Sequence, residues 1–202
     1  MQQFNEDVLK QLIDELSLNQ DIKITEIPDI DLYMEQLTSF MDSSLKSQKR
    51  DDQDKILTKT MINNYTKAGL LMPPIKKKYN KRHIILLNLI YYLKNILSIN
   101  DIKRLFEPVL NNIATPEDDL ISLEDIYSTF LDVKNIELSS FHEHLIEKST
   151  MIKEETSMID KDGKDTAELF LIVIMLIAQA NAQKRLAEKI IDTYFHKPEN
   201  PA

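Results

Sequence analysis

Lys59, Thr60, Asn63, Asn64 and Lys67 have types and a spacing suited to a defined chemistry. At the helical period they gather on one side of a wheel, and Ile62 and Tyr65 fall on the other. Asparagine can pair bidentately with adenine, the threonine methyl can contact thymine, and lysine can reach guanine or a phosphate. The same residue types also make an ordinary solvated helix face, so these five gain meaning only from their neighbours. Downstream, Pro73 and Pro74 forbid a helix, and Lys76, Lys77 and Lys78 place three adjacent positive charges on a short excursion that Tyr79 can pack down. Lys81 and Arg82 carry the basic run into the next segment. A helix over 58–68 followed by a lysine-rich wing over 75–79 is the arrangement expected of a duplex reader.

The elements that must position these side chains have local signals of their own. Thr58 is placed to cap a helix, and Gly69 stands where a left-handed C-cap is wanted. Asn80 can cap a second helix. Ile84, Leu87 and Tyr91, with Leu86, Ile90 and Leu93 one face over, give that helix a broad apolar side. Ser98 can cap a third, in which Ile102, Leu105 and Phe106 share a face; Asp101 sits early, where negative charge is favoured, with Lys103 and Arg104 beyond it. Upstream, Leu32, Leu37, Phe40 and Met41 predict a helix capped by Asp29 or Asp31, the first helix of a helix-turn-helix. The polar stretch 42–55 reads as a helical extension or a mobile loop.

The string INNYTKAGLL, then PP, a basic residue, Tyr79 and ILSINDIKRL, resembles MerR-type regulators. In those proteins a helix ending in tyrosine, glycine and two leucines precedes a proline, a basic wing and a helix that opens much as residues 97–103 do here. More closely, residues 27 to about 106 are similar to domain-of-unknown-function family 1836 of Gram-positive bacteria, which has no assigned activity. The MerR likeness implies a DNA-binding fold in which Thr58 is the helix cap, Tyr65 the aromatic near the backbone and Lys77 the basic wing residue. The chain departs from that pattern in three places. Asn63 stands where such proteins usually carry a phosphate-binding arginine, the wing is several residues shorter, and 42–55 is longer than a tight turn.

Bulk properties set the frame. In 202 residues, 43% hydrophobic content is enough for one or two packed cores, and seven Pro with only two Gly favour long helices over a turn-rich β fold. The absence of Cys removes disulfides, thiol catalysis and thiolate metal sites. The formal net charge of −8 is unevenly placed: residues 1–54 hold 5 basic and 13 acidic side chains, residues 55–104 hold 11 and 1, and residues 105–202 hold 9 and 19. A basic module between acidic flanks concentrates phosphate attraction in one place; the alternative is chance clustering of lysine on helix surfaces. The opening MQQFNEDVLK lacks the basic-then-apolar pattern of a secretory signal, and the apolar run 169–178 is too short for a bilayer, so a soluble cytoplasmic protein with no membrane partner is expected.

Other chemistry finds little support. His142 and His144 are two apart and face different ways on a helix, and Glu143 and Glu147 do not complete a zinc motif. In the DKDGKD stretch, setting Gly163 at the sixth position of a calcium loop puts Met158 first and Leu169 twelfth, where acidic ligands belong. With no phosphate-cradling glycine loop and no nucleophile triad to single out, no enzyme activity, metal or cofactor is expected.

The expectation is therefore an all-α chain: an N-terminal helical arm over 1–26, a MerR-like, short-winged helix-turn-helix over 27–112, and a C-terminal helical bundle over 113–202, with a boundary at Pro108 and residues 114–119. C-terminal helices are expected over 123–133, 138–152 and about 165–195, and the all-round apolar stretch FLIVIMLIAQANA must be enclosed, by its own bundle or by a second subunit in a homodimer. The function expected is a non-catalytic transcriptional regulator binding double-stranded DNA; its effector is left open. The alternative is an all-helical interaction module whose basic face meets an acidic protein.

Overall fold

The computed structural model describes residues 5–51, 53–111, 122–159 and 161–195. The fold is mostly helical, with one two-stranded sheet among the described residues. By its contacts the chain divides into two compact units, one of Met1–Gln20 with Asp132–Gln183, the other of Asp21–Leu131 with Lys184–Ala202. The second unit contains the basic window and the larger core.

That core is assembled from short elements. A 3-10 turn at Ile24–Glu26 lies between Ile22 and Ile27, both buried. Strand β1 (Leu32–Tyr33) leads directly into helix α2 (Met34–Ser44), whose cap is Tyr33; the Tyr33 amide donates to the Gln36 side chain at 2.9 Å. The expected cap at Asp29 or Asp31 is thus not used, because the residues after them pair in a sheet. The stretch 42–55 is neither a helical extension nor wholly solvated. Leu45 is completely buried, a 3-10 turn covers Lys46–Gln48, and Asp51 accepts from the Gln53 and Asp54 amides at 2.8 and 3.1 Å.

Helix α3 (Lys59–Lys67) starts at Thr58, whose hydroxyl accepts from the Met61 amide at 3.1 Å. It stops at Gly69, with φ of 74°. The Leu70 amide bonds back to the Tyr65 carbonyl at 2.9 Å and the Gly69 amide to the Thr66 carbonyl at 3.1 Å, a Schellman closure in which Tyr65 and Leu70 are both buried. Strand β2 (Lys78–Tyr79) then pairs antiparallel with β1, Leu32 opposite Tyr79 and Tyr33 opposite Lys78.

Helix α4 (Lys81–Leu93) is the centre of this unit: residues 83–88 and 90 are all buried, so its apolar surface is wider than one face. Helix α5 (Ile99–Asn111) has the expected Ser98 cap and buries Ile102 and Phe106. It runs through Pro108, which is therefore not a boundary; the candidate boundary at 114–119 lies outside the described residues.

The remaining helices are long. Where two helices were expected over 123–133 and 138–152, there is one, α6 (Leu123–Glu155), since Lys134, Asn135, Ile136 and Glu137 include no glycine or proline to break it. Helix α7 (Lys161–Tyr194) contains the apolar stretch. The apolar run alone is short, but the helix continues without charge through Gln183, and Gly163–Tyr194 is long and apolar enough to cross a membrane. Residues 123–131 of α6 and 184–194 of α7 contribute to the second unit through Leu123, Tyr127, Leu131 and Ile191. The first unit holds helix α1 (Glu6–Glu15), capped by Asn5, and a small core of Leu9, Ile13 and Leu145 with Phe141 and Leu176 packed against it.

Candidate functional site

Ile62 and Tyr65 are buried, and this turns the opposite side of α3 outward: Lys59, Thr60, Asn63, Asn64 and Lys67 are all exposed. One of the five is engaged. The Lys59 ammonium lies 2.6 Å from Glu35 on α2 and holds that carboxyl below its usual range. Thr60, Asn63 and Asn64 lie between Lys59 and Lys67 on the outward side, offering amide and hydroxyl groups between two cations.

The wing is a hairpin with a two-residue tip. Ile75 and Lys78 exchange both backbone hydrogen bonds, at 3.0 and 2.9 Å, and Lys76 and Lys77 between them have φ of 50° and 66°. Two positive φ values make this a type I′ turn, a conformation that asparagine and glycine enter easily and lysine does not. Both tip lysines and Ile75 are exposed. Lys78 differs from them. It is half-buried, and its ammonium sits over the Tyr33 ring, 5.1 Å from the centroid, so the triplet does not stand clear of the body as a whole.

Beneath the wing, Tyr79 is buried and meets His83 edge to face at 5.3 Å between centroids. His83 occupies the third position of α4. Its Nδ1 lies 3.2 Å from the Asn80 amide, and its Nε2 lies 3.4 Å from the Pro73 carbonyl. Burial pushes the imidazole pKa down, against the backbone carbonyls at Pro73 and Met72, which pull it up. His83 thus ties both ends of the hairpin to α4. Sequence reading missed it, although Asn80 and His83 have the spacing of a reciprocal cap, which the structure forms. Lys81 is half-buried and pairs with Glu124 at 3.2 Å; Arg82 is half-buried beside it.

A further cation is used internally. Lys94 donates to the Ile56 carbonyl at 2.7 Å and lies over the Tyr91 ring, and burial lowers its pKa. It fixes the end of the loop that delivers Thr58. Nearby, Tyr92 donates to Asp21, Asn88 donates to the Tyr127 hydroxyl, and that hydroxyl donates to the Ile22 carbonyl at 2.6 Å. Burial drives both phenol pKa values well above the ordinary tyrosine range. These groups join α4 and α6 to the strand of chain that precedes β1.

Residues 22–130, more than half of the 202-residue chain, match the family described as "Domain of unknown function (DUF1836)". The chain belongs to the DUF1836 family. No curated protein and no solved structure matches it. The DUF1836 region takes in β1, α2, α3, β2, α4 and α5 together with the first turns of α6, so the exposed α3 face and the hairpin tip both lie inside it.

Proposed function

We propose that this DUF1836 protein binds double-stranded DNA as a non-catalytic transcriptional regulator, with α3 in the major groove and the Lys76–Lys77 tip on the adjacent backbone. The observation that carries this reading is the order strand, helix, helix, hairpin, helix, with the outward face of the second helix polar and exposed and the hairpin tip cationic. That is the order of a MerR-like winged helix-turn-helix with a short wing. Asn63 and Asn64 supply base-edge chemistry, Thr60 a methyl and hydroxyl, and Lys59, Lys67, Lys76 and Lys77 phosphate contacts. Lys78, Lys81 and Arg82 act at the rim, where Lys78 and Lys81 first have to leave Tyr33 and Glu124. Residues 55–104, with 11 basic and 1 acidic side chains, give the attraction its place despite the net charge of −8.

A second reading, a helical module whose basic face meets an acidic protein, draws support from the same pairings: Lys59 and Lys81 already accept carboxylate partners from their own chain. Selection of genomic duplex fragments by the purified protein separates the two. Enrichment of a common motif, confirmed by anisotropy on that duplex against a scrambled one, is the expected result; recovery of no motif favours the acidic protein partner.

A further inference from the structure

Helix α7 is covered along one stripe only. Ile172 is buried and Leu176 packs on the Leu9, Ile13 and Leu145 cluster, but the opposite side leaves Phe170 63%, Val173 56%, Ile174 48% and Ile177 59% exposed, with Leu169 and Met175 open at its edges. Taking roughly 150 Å² for a whole large apolar side chain, these six leave on the order of 450 Å² of apolar surface uncovered. That is more than half of the roughly 800 Å² that each partner contributes to a stable interface. The unit's own core, with only three buried apolar residues in its cluster, is small for helices of this length.

We infer that this face is covered by the same face of a second copy of the chain, with the two α7 helices antiparallel about a twofold axis between Val173 and Ile174. The face is self-matching about that point. Val173 then meets Ile174, Phe170 of each copy meets Ile177 of the other, and Thr166 meets Asn181, so apolar residues oppose apolar ones and polar oppose polar, as an isologous contact requires. From Leu169 to Gln183 no side chain is charged, so the face offers a foreign partner no charge to select. Ala178, Ala180 and Ala182 allow close helix approach. Lipid is the poorer occupant. Leu145 of α6 lies in the same cluster as Leu176, and on either side of it Glu143 and Glu147 are exposed; a bilayer around α7 at that level would have to take in both carboxylates. The inference does not depend on DNA binding, and each can fail without the other.

The test is sedimentation velocity on the full chain at micromolar concentration. A species of twice the 23.6 kDa chain mass is expected. The double variant Phe170→Glu, Ile177→Glu, whose side chains are exposed in the single copy, should sediment as a monomer with unchanged helical circular dichroism. Because the chain has no cysteine, Ile174→Cys under mild oxidation should give a disulfide-linked dimer, whereas Lys55→Cys should not. A 23.6 kDa wild-type species would overturn the inference, as would a dimer that survives both glutamates. Co-pelleting of the wild type, but not the double variant, with vesicles of phosphatidylglycerol and phosphatidylethanolamine would overturn it in favour of a membrane surface.

Discussion

At Asn64 a side chain with no assigned packing role stands beside groups that shape the helix itself. If it reads a base edge, Asn64→Ala is expected to lose roughly 1–3 kcal/mol on the selected duplex and almost nothing on random DNA. Anisotropy titrations on both duplexes decide this, and equal losses would mean that Asn64 does not discriminate. Glu35 makes the complementary case, since it competes with phosphate for Lys59. Glu35→Gln is expected to tighten binding to every duplex and to steepen the slope of log K against log salt by about 0.9; an unchanged slope would remove Lys59 from the contact set. His83 reports on the hairpin instead. Its folded pKa lies below the ordinary 6.5, so the unfolded chain takes up the proton first. The stabilisation is present above pH 6.5 and is lost as pH falls from there toward the folded pKa. Melting temperature should therefore drop between pH 7 and pH 5 more steeply in the wild type than in His83→Asn, and parallel curves would show that His83 contributes no linkage.

At the scale of elements, the hairpin and the end of α3 each have one backbone feature that sets their shape. Lysine at two positive φ values costs roughly 1–2 kcal/mol per residue relative to a permissive pair. The change Lys76→Asn, Lys77→Gly should therefore raise the melting temperature, and it should also flatten the salt slope of duplex binding by up to about 1.8, at roughly 0.9 per phosphate contact. Stabilisation with an unaltered slope would leave the tip without a role on DNA. Gly69 is constrained by conformation rather than space. A Cβ there would meet only the end of the Lys103 side chain, at 3.8 and 3.9 Å, but its φ of 74° disfavours any L side chain. Gly69→Ala is expected to destabilise by about 1 kcal/mol in chemical denaturation, with Gly69→Asn losing less. No loss in either would show that the Schellman closure tolerates a rearranged backbone.

For the whole molecule, the separation of charge is the widest feature. The acidic flanks, with 13 acidic to 5 basic side chains before residue 55 and 19 to 9 after residue 104, surround a window that is nearly all basic. Such a distribution weakens random attraction to polyanions outside the window while leaving the local field intact. Much of the window's charge is also spent within the fold: Lys94 on a carbonyl, Lys81 on Glu124, Lys59 on Glu35 and Arg104 on Asp192 of α7 at 3.0 Å. Counting lysines along the chain overstated the positive surface for that reason.

The sequence by itself determined the parts whose cause is local. Thr58, Asn80 and Ser98 cap the helices they were expected to cap, Gly69 ends α3, and the outward side of α3 follows from Ile62 and Tyr65 alone, because a helix fixes the direction of each side chain from its position. The helical class followed from long apolar periodicity and few glycines. The tertiary structure decided the rest. Leu32–Tyr33 became a strand because β2 was there to pair with it, which no periodicity of two residues can signal. Leu45 was buried out of a polar stretch, and Lys78 was drawn onto Tyr33, by neighbours distant in the chain. Helix α6 ran through Lys134–Glu137 because a lapse in apolar pattern does not break a helix that lacks glycine or proline. Those outcomes depend on contacts between residues far apart in sequence, which a single chain read in order does not contain.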